Sequence, residues 1–146
     1  MLIDRLQVLF LCTGNSCRSQ MAEGWAKALK KDSLCVYSAG IEPHGLNPFA
    51  VSVMAEVGID ISNQESIHVD QLMHLKFDWV VTVCEHAERH CPLFPGSSRV
   101  IHQPFDDPPQ LVKTANNETE VYDCYRRVRD EIREYINTMP ESLKIS

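Results

Sequence analysis

The stretch VLFLCTGNSCRSQMAEGWAKAL, from Val8 to Leu29, places an apolar strand, a tight loop and a helix directly after one another. The strand, LQVLFLC from Leu6 to Cys12, is an apolar run typical of central parallel strands that are covered on both faces. The helix is indicated by lysines in its last turn and by apolar residues at helical spacing, namely Met21, Ala22, Trp25 and Leu29.

Three further segments read as strands and alternate with helices. FDWVVTVC (77–84) is a second continuous apolar run, and LCVYSAG (34–40) and RVIHQPF (99–105) are shorter candidates. NPFAVSVMAEVG reads as a helix with Asn47 as its N-cap, Pro48 at its first position and Gly58 just past its end. We therefore predict an α/β fold: one doubly wound domain over 1–146, with a four-stranded parallel sheet flanked by helices.

The C-terminal segment TEVYDCYRRVRDEIREYI predicts a long amphipathic helix. Its apolar stripe consists of Val121, Tyr125, Val128, Ile132 and Tyr135. Charged residues opposite this stripe, at Arg127, Asp130 and Glu134, are expected to face solvent. The preceding segment from Asp106 to Glu118, DDPPQLVKTANNE, reads as a long loop.

Composition excludes several classes of protein. The formal net charge of −6 argues against a nucleic acid or an anionic membrane as partner, since both attract basic surfaces. The N-terminal apolar run is too short for a signal peptide, and no later run would span a membrane, so we expect a cytoplasmic protein. In that compartment the 6 cysteines should be reduced, as packed residues, metal ligands or catalytic thiols.

The loop CTGNSCRS, from Cys12 to Ser19, has the chemistry of an oxyanion site. Successive backbone N–H groups, the helix N-terminus and the Arg18 guanidinium would together attract a tetrahedral anion. The same field should lower the pKa of Cys12 and make it a nucleophile. We expect Thr13, Gly14, Asn15, Ser16, Cys17, Arg18 and Ser19 to form the binding loop, with Ser19 donating to the sulfur. The alternative is an ordinary turn with a buried cysteine.

Displacing an oxygen from such an anion requires a proton donor, and FDDPP supplies Asp106 and Asp107. Adjacent side chains tend to face apart, so at most one of them should enter the site. Considered alone, an Asp-Asp-Pro sequence is usually only a turn.

The segment VTVCEHAERHC raises three possibilities: a zinc site, a disulfide or a redox switch. Four possible ligands within eight residues, Cys84, His86, His90 and Cys91, can hardly surround one zinc ion tetrahedrally. Residues seven apart are separated by about 10.5 Å on a helix, whereas a disulfide needs Cα atoms within about 7 Å. A Cys84–Cys91 bond therefore requires the intervening residues to loop out.

The motifs VLFLCTGNSCRSQMAEGWAKAL, VYSAGIEPHGLNPFAV, EVGIDISNQ, VVTVC, FDDP and RVRDEI together closely resemble the thioredoxin-coupled arsenate reductases, which have the low-molecular-weight protein tyrosine phosphatase fold. The resemblance runs from about residue 6 to 136. It implies reduction of arsenate to arsenite, with Cys12 as nucleophile, Arg18 as oxyanion clamp, Asp107 as general acid and Cys84 and Cys91 as the redox pair that thioredoxin reduces. Phosphate or sulfate would occupy the same loop.

The resemblance also limits what else to expect. Some family members bind potassium beside the loop, and Asn15, Glu23 and Ser38 match, but Ile67 replaces the aspartate. We therefore expect no metal and no tightly bound cofactor. Cys35 and Cys124 match no family role and are expected to be packed thiols. Cys17 matches a family position but lies outside the thiol relay. We expect the protein to be a monomer and to receive its electrons from thioredoxin.

The alternative within this fold is a low-molecular-weight phosphotyrosine-type phosphatase, which would share the loop, the nucleophile and the acid. Such enzymes usually carry an aromatic pair after the Asp-Pro, whereas DPPQ follows here. Their chemistry also needs no cysteine pair.

Overall fold

Four parallel strands form the sheet at the centre of this computed structural model, which describes residues 5–89, 91–92 and 98–145. The strands are β1 (Leu6–Cys12), β2 (Leu34–Gly40), β3 (Trp79–Thr82) and β4 (Arg99–His102), in the order β2-β1-β3-β4. Each neighbouring pair is parallel. The predicted four-stranded parallel sheet is confirmed.

Helices connect and cover these strands. They are α1 (Arg18–Leu29), α2 (Pro48–Glu56), α3 (Glu85–Arg89), α4 (Pro108–Leu111), α5 (Glu118–Asn137) and α6 (Glu141–Ile145), with short 3₁₀ turns at Val69–Leu72 and Val112–Thr114. The predicted start of α2 is confirmed, since the Asn47 side chain accepts from the amides of Phe49 and Ala50. Within the described ranges, no helix is long and apolar enough to span a membrane.

The core lies between the sheet and the long helices. Val8, Leu9, Phe10 and Leu11 of β1 are all 0% exposed, which explains why this strand reads as a continuous apolar run. α1 packs against β2 and α5, and the Trp25 indole donates to the Arg129 carbonyl at 3.0 Å. The predicted stripe of α5 is buried at Tyr125, Val128 and Ile132, whereas Arg127, Asp130 and Glu134 are exposed as expected.

One expectation is wrong. The segment from Asp106 to Glu118 is not a long irregular loop, because it contains α4 and the 3₁₀ turn Val112–Thr114. Pro108 occupies the first position of α4, where a backbone N–H would have no partner within the helix. The same Asp-Pro residues are also typical of a turn, so the sequence did not indicate this helix.

The strand order decides where the site lies. β1 pairs with β2 on one side and with β3 on the other, so the chain reverses its direction of winding at β1. Loops that leave the carboxyl ends of β1 and β3 therefore lie next to each other. This brings the segment after Cys12 beside the segment that contains Cys84.

Candidate active site

The loop 12–18, called here the oxyanion loop, is held from outside by the segment that follows β2. Four amides of that segment donate to the loop's carbonyls: Ile41 to Cys12 at 3.2 Å, Glu42 to Thr13 at 2.8 Å, His44 to Gly14 at 2.9 Å and Asn47 to Ser16 at 2.9 Å. With its carbonyls turned outward, the loop's own N–H groups are free to face inward. This is the backbone arrangement that an oxyanion site requires.

Asn15 fixes the loop from behind. Its backbone has φ 46°, and its fully buried side chain donates to Ser19 at 2.9 Å and to Ser38 at 3.0 Å, and accepts from the Ile67 amide at 3.0 Å. Asparagine tolerates this left-handed conformation better than most residues. Asn15 and Ser19 therefore shape the loop, and no hydrogen bond from Ser19 to the Cys12 sulfur is found in the described part of the chain.

A buried carboxylate supports Asn15. Glu23 is 8% exposed, accepts from the Ser38 hydroxyl at 2.5 Å and also contacts the Lys27 ammonium. Ile67 contributes its main-chain N–H at this place instead of a carboxylate. In the part of the chain that the structure describes, no group of three or more His, Cys, Asp or Glu residues is arranged to hold a metal ion.

Arg18 joins the oxyanion loop to the segment 104–107, called here the acid segment. Its Nη1 donates to the Phe105 carbonyl at 3.0 Å, and its Nη2 lies 3.5 Å from Asp107 Oδ1. The Arg18 side chain is only 12% exposed. The structure therefore brings Cys12, Arg18 and Asp107 together at one pocket, as the sequence predicts.

The two aspartates face apart, as expected. Asp107 faces Arg18 in the pocket, whereas Asp106 pairs with Arg127 of α5 through an Oδ2 to Nη2 distance of 3.0 Å. Asp107 is thus the carboxyl group that lies next to the oxyanion loop.

Cys84 lies next to Cys12, between the end of β3 and the start of α3. Three donors surround its sulfur: the Cys12 thiol, the Thr13 hydroxyl at 3.1 Å and the Ala87 amide at 3.4 Å. The hydrogen bond from Cys12 is the largest of the effects that lower the pKa of Cys84 to about 5, against the opposing effect of burial.

The expectation that Cys12 has a lowered pKa is wrong for this arrangement. The hydrogen bond to Cys84, followed by burial, raises the pKa of Cys12 well above its ordinary value, and the nearby Arg18 charge only partly opposes this. The Thr13 hydroxyl and the Ala87 amide, which donate to Cys84, therefore favour a thiolate at that sulfur. Burial also raises the pKa of Cys17, which leaves that thiol protonated and unreactive at neutral pH.

Cys91 is a half-buried free thiol beyond α3, and burial raises its pKa. The helix begins directly after Cys84, so the two cysteines stand on either side of an ordered segment. Among the ligands of the zinc alternative, His90 and the side chain of His86 lie outside the described residues.

The pocket has a volume of about 730 Å³ and is lined by the oxyanion loop, the acid segment, Cys84, Glu85 and His44. Sequence reasoning did not identify His44, Thr13 as a partner of Cys84, or Arg127. A signal for His44 was available, because it follows the end of β2 by four residues and the carboxyl ends of parallel strands share one edge. The other two contacts join distant segments and leave no local signal.

Comparisons with known proteins agree with this geometry. Residues 7–145 match the family described as low molecular weight phosphotyrosine protein phosphatase. The arsenate reductase of Halalkalibacterium halodurans is 52% identical over 142 residues, which cover 97% of this chain and 100% of that protein. The arsenate reductase of Bacillus subtilis is 50% identical over 137 residues, which cover 94% and 96% of the two chains.

Solved structures show the same similarity. An arsenate reductase in the phosphate binding state is similar with a TM-score of 0.71 and 32% identity, covering 92% of this chain and 95% of that one. An arsenate reductase in its oxidized state reaches a TM-score of 0.74 at 30% identity, covering 96% and 98%.

Proposed function

The chain belongs to the low molecular weight phosphotyrosine protein phosphatase family, and we propose that within this family it is an arsenate reductase. One observation carries the proposal: a second thiol, Cys84, contacts Cys12 inside the oxyanion pocket. A hydrolase needs one nucleophile at this place, whereas reduction of a bound oxyanion needs a second thiol to receive oxidising equivalents. Relatives whose sequences are about 50% identical to this chain are named arsenate reductases, which supports the same conclusion.

Arsenate would bind in the oxyanion loop. The N–H groups of the loop, the N-terminus of α1 and the Arg18 guanidinium would supply donors and positive charge, while Asn15 and Ser19 hold the loop in shape. Phosphate and sulfate have the same tetrahedral form and should compete for this site. The chain's overall negative charge makes this local field necessary.

In the first step Cys12 would form a bond to arsenic. Transfer of the shared proton from Cys12 to Cys84 produces the attacking thiolate, and an arsenic-bound hydroxyl takes a proton from Asp107 and leaves as water. This role is supported by the position of Asp107, which lines the same pocket as Cys12.

In the second step Cys84 gives up its proton to solvent, and the resulting thiolate attacks the Cys12 sulfur. The S–S bond forms as the S–As bond breaks, and the electron pair remains on arsenic, which is reduced from As(V) to As(III) and leaves as arsenite. The donors around Cys84, from the Thr13 hydroxyl and the Ala87 amide, favour its thiolate form.

In the third step Cys91 attacks Cys84, which frees Cys12 and leaves a Cys84–Cys91 disulfide. α3 stands between these cysteines, so it must unwind before they can bond. Ala87, which is 0% exposed, is the one apolar residue in the sequence of α3, so unwinding would cost little apolar burial. The exposed disulfide would then be reduced by thioredoxin.

The phosphatase alternative shares the oxyanion loop and the acid, and the fold family is named for that activity. We place phosphate ester hydrolysis second because it gives no role to Cys84 or Cys91. A weak side activity toward small phosphate esters is compatible with the pocket.

We further propose that the chain acts as one domain over 1–146, as a cytoplasmic monomer in arsenic detoxification, without a tightly bound cofactor. The family match from residue 7 to 145 supports the single domain. Reduced thiols suit the cytoplasm, since all 6 cysteines are free.

The test is arsenate-dependent consumption of NADPH with thioredoxin and thioredoxin reductase, run beside a glutaredoxin system. Wild type should turn over repeatedly with thioredoxin, whereas Cys84→Ser and Cys91→Ser should not. Cys35→Ser is the matched control, because Cys35 contacts Tyr37 rather than the pocket, and it should behave as wild type. Normal turnover in both relay variants would refute the thiol relay.

A further inference from the structure

We infer that Arg127 is a positioning residue that holds Asp106 against α5 and thereby directs Asp107 into the pocket. This inference rests on the proposed function, in which Asp107 is the proton donor. Arg127 Nη2 lies 3.0 Å from Asp106 Oδ2, whereas the neighbouring Asp107 faces Arg18. Two arginines from different helices therefore hold the two adjacent carboxylates in different positions.

Arg127 is itself fixed in place. Its Nη1 contacts Glu131 Oε2 at 2.8 Å, one helical turn further along α5. The next residue, Val128, and Ile132 are both 0% exposed, so this part of α5 is held firmly by the core. The guanidinium thus ties the acid segment to a rigid element.

The contact between Asp106 and Arg127 differs from the contacts of Arg18 with the acid segment, because Arg127 is not needed to bind substrate. Arg18 donates to the Phe105 carbonyl and faces Asp107, but it is also the cation that a bound oxyanion would engage. At 3.5 Å, the contact between Arg18 and Asp107 is the looser of the two acid–arginine pairs. Because Arg127 does not line the pocket, its hold on Asp106 is independent of substrate, and it can fix the acid segment while Arg18 is occupied.

Without Arg127, Asp106 becomes an unpaired carboxylate beside the pocket. It would then compete with Asp107 for the Arg18 guanidinium and draw the acid segment out of position. The other charged or titratable groups around Asp107 are Arg18, Cys17, Cys124, Tyr125, Glu85 and His44. Cys124 also interacts with Arg127, so the comparison with Asp106→Asn is what assigns the effect of an Arg127 substitution to Asp106.

The experiment is a double-mutant cycle of wild type, Arg127→Gln, Asp106→Asn and the double variant. kcat/KM for arsenate is measured at saturating thioredoxin and one pH, so the ionisation of arsenate is common to all four proteins. Arg127→Gln should lower kcat/KM roughly three- to tenfold, as expected for a slightly misplaced catalytic group. The double variant should match Asp106→Asn, because Arg127 acts through Asp106.

Two further variants separate positioning from a general effect on the helix. Arg127→Lys keeps the charge and should recover most of the loss. Arg126→Gln is the matched control: Arg126 pairs with Glu56 and Asp123 instead of the acid segment, so its kcat/KM should stay within about twofold of wild type.

The inference is overturned if Arg127→Gln leaves kcat/KM unchanged, if Arg127→Lys recovers none of the loss, or if the two single losses add in the double variant. An inactive wild type with arsenate would instead refute the proposed function. In that case the same four proteins, assayed with a small aryl phosphate whose leaving group also takes the Asp107 proton, would still test Arg127.

Discussion

Replacing Thr13 by valine should remove a hydrogen bond that holds the thiolate of Cys84. The two side chains have nearly the same shape, so the change deletes a hydroxyl donor 3.1 Å from the sulfur and little else. A hydrogen bond to a charged group contributes about 1.5–3 kcal/mol, and one pKa unit corresponds to about 1.4 kcal/mol. The pKa of Cys84, which lies at about 5, should therefore rise by roughly one to two units.

The direction of the pKa change depends on which form of Cys84, thiol or thiolate, the Thr13 hydroxyl stabilises. Thr13 donates to the charged thiolate, so its loss disfavours that form and moves the titration to higher pH. With the pKa raised to about 7, the thiolate fraction at pH 6 would fall up to about tenfold. Arsenite release in a single turnover at that pH should slow by a similar factor, since the second step uses this thiolate.

The assay is the ultraviolet absorbance of thiolate against pH, taken as the difference between each protein and the same protein carrying Cys84→Ser. Thr114→Val is the matched control, because the Thr114 hydroxyl contacts only the Leu111 carbonyl on the surface. An unchanged midpoint in Thr13→Val would show that the Cys12 thiol and the Ala87 amide alone hold the charge, and would refute the reasoning.

Three other outcomes follow from the site. Cys91→Ser should release about one equivalent of arsenite per chain and then stop, as measured by rapid quench, because the oxidising equivalents remain in a Cys12–Cys84 disulfide. Asp107→Asn should lower kcat/KM for arsenate by about 10²- to 10⁴-fold in the coupled assay, the range for losing a general acid, while phosphate still binds by calorimetry. Gly40→Ala would place a Cβ 2.6 Å from the Thr13 carbonyl, so the oxyanion loop must shift. We expect urea denaturation to show a loss of about 1–3 kcal/mol in unfolding free energy, together with weaker phosphate binding, and an unchanged affinity would contradict the tight contact.

Much of the fold could be predicted because its signals are local. The apolar run of β1, the N-cap and proline that start α2, and the stripe of α5 each follow from side chains a few residues apart. The failure at α4 has the same origin, because Pro108 and its polar surroundings also fit an irregular loop.

The candidate residues followed from chemistry that the sequence states directly. A cysteine that ends a strand, an arginine that starts a helix and an Asp-Pro after the last strand indicate the candidate nucleophile, the candidate oxyanion clamp and the candidate acid. These groups meet because parallel strands present their carboxyl ends at one edge, so the order of elements alone predicts their proximity.

Tertiary structure decided how these groups behave. Cys84 and Thr13 are 71 residues apart, and their contact favours a thiolate at Cys84, whereas the sequence pointed to Cys12. The pairing of Asp106 with Arg127 of α5 likewise joins segments that are distant in the sequence. Residue types and their spacing determine which chemistry is available, whereas the position of a proton depends on distances of a few ångströms between segments, which only the folded chain defines.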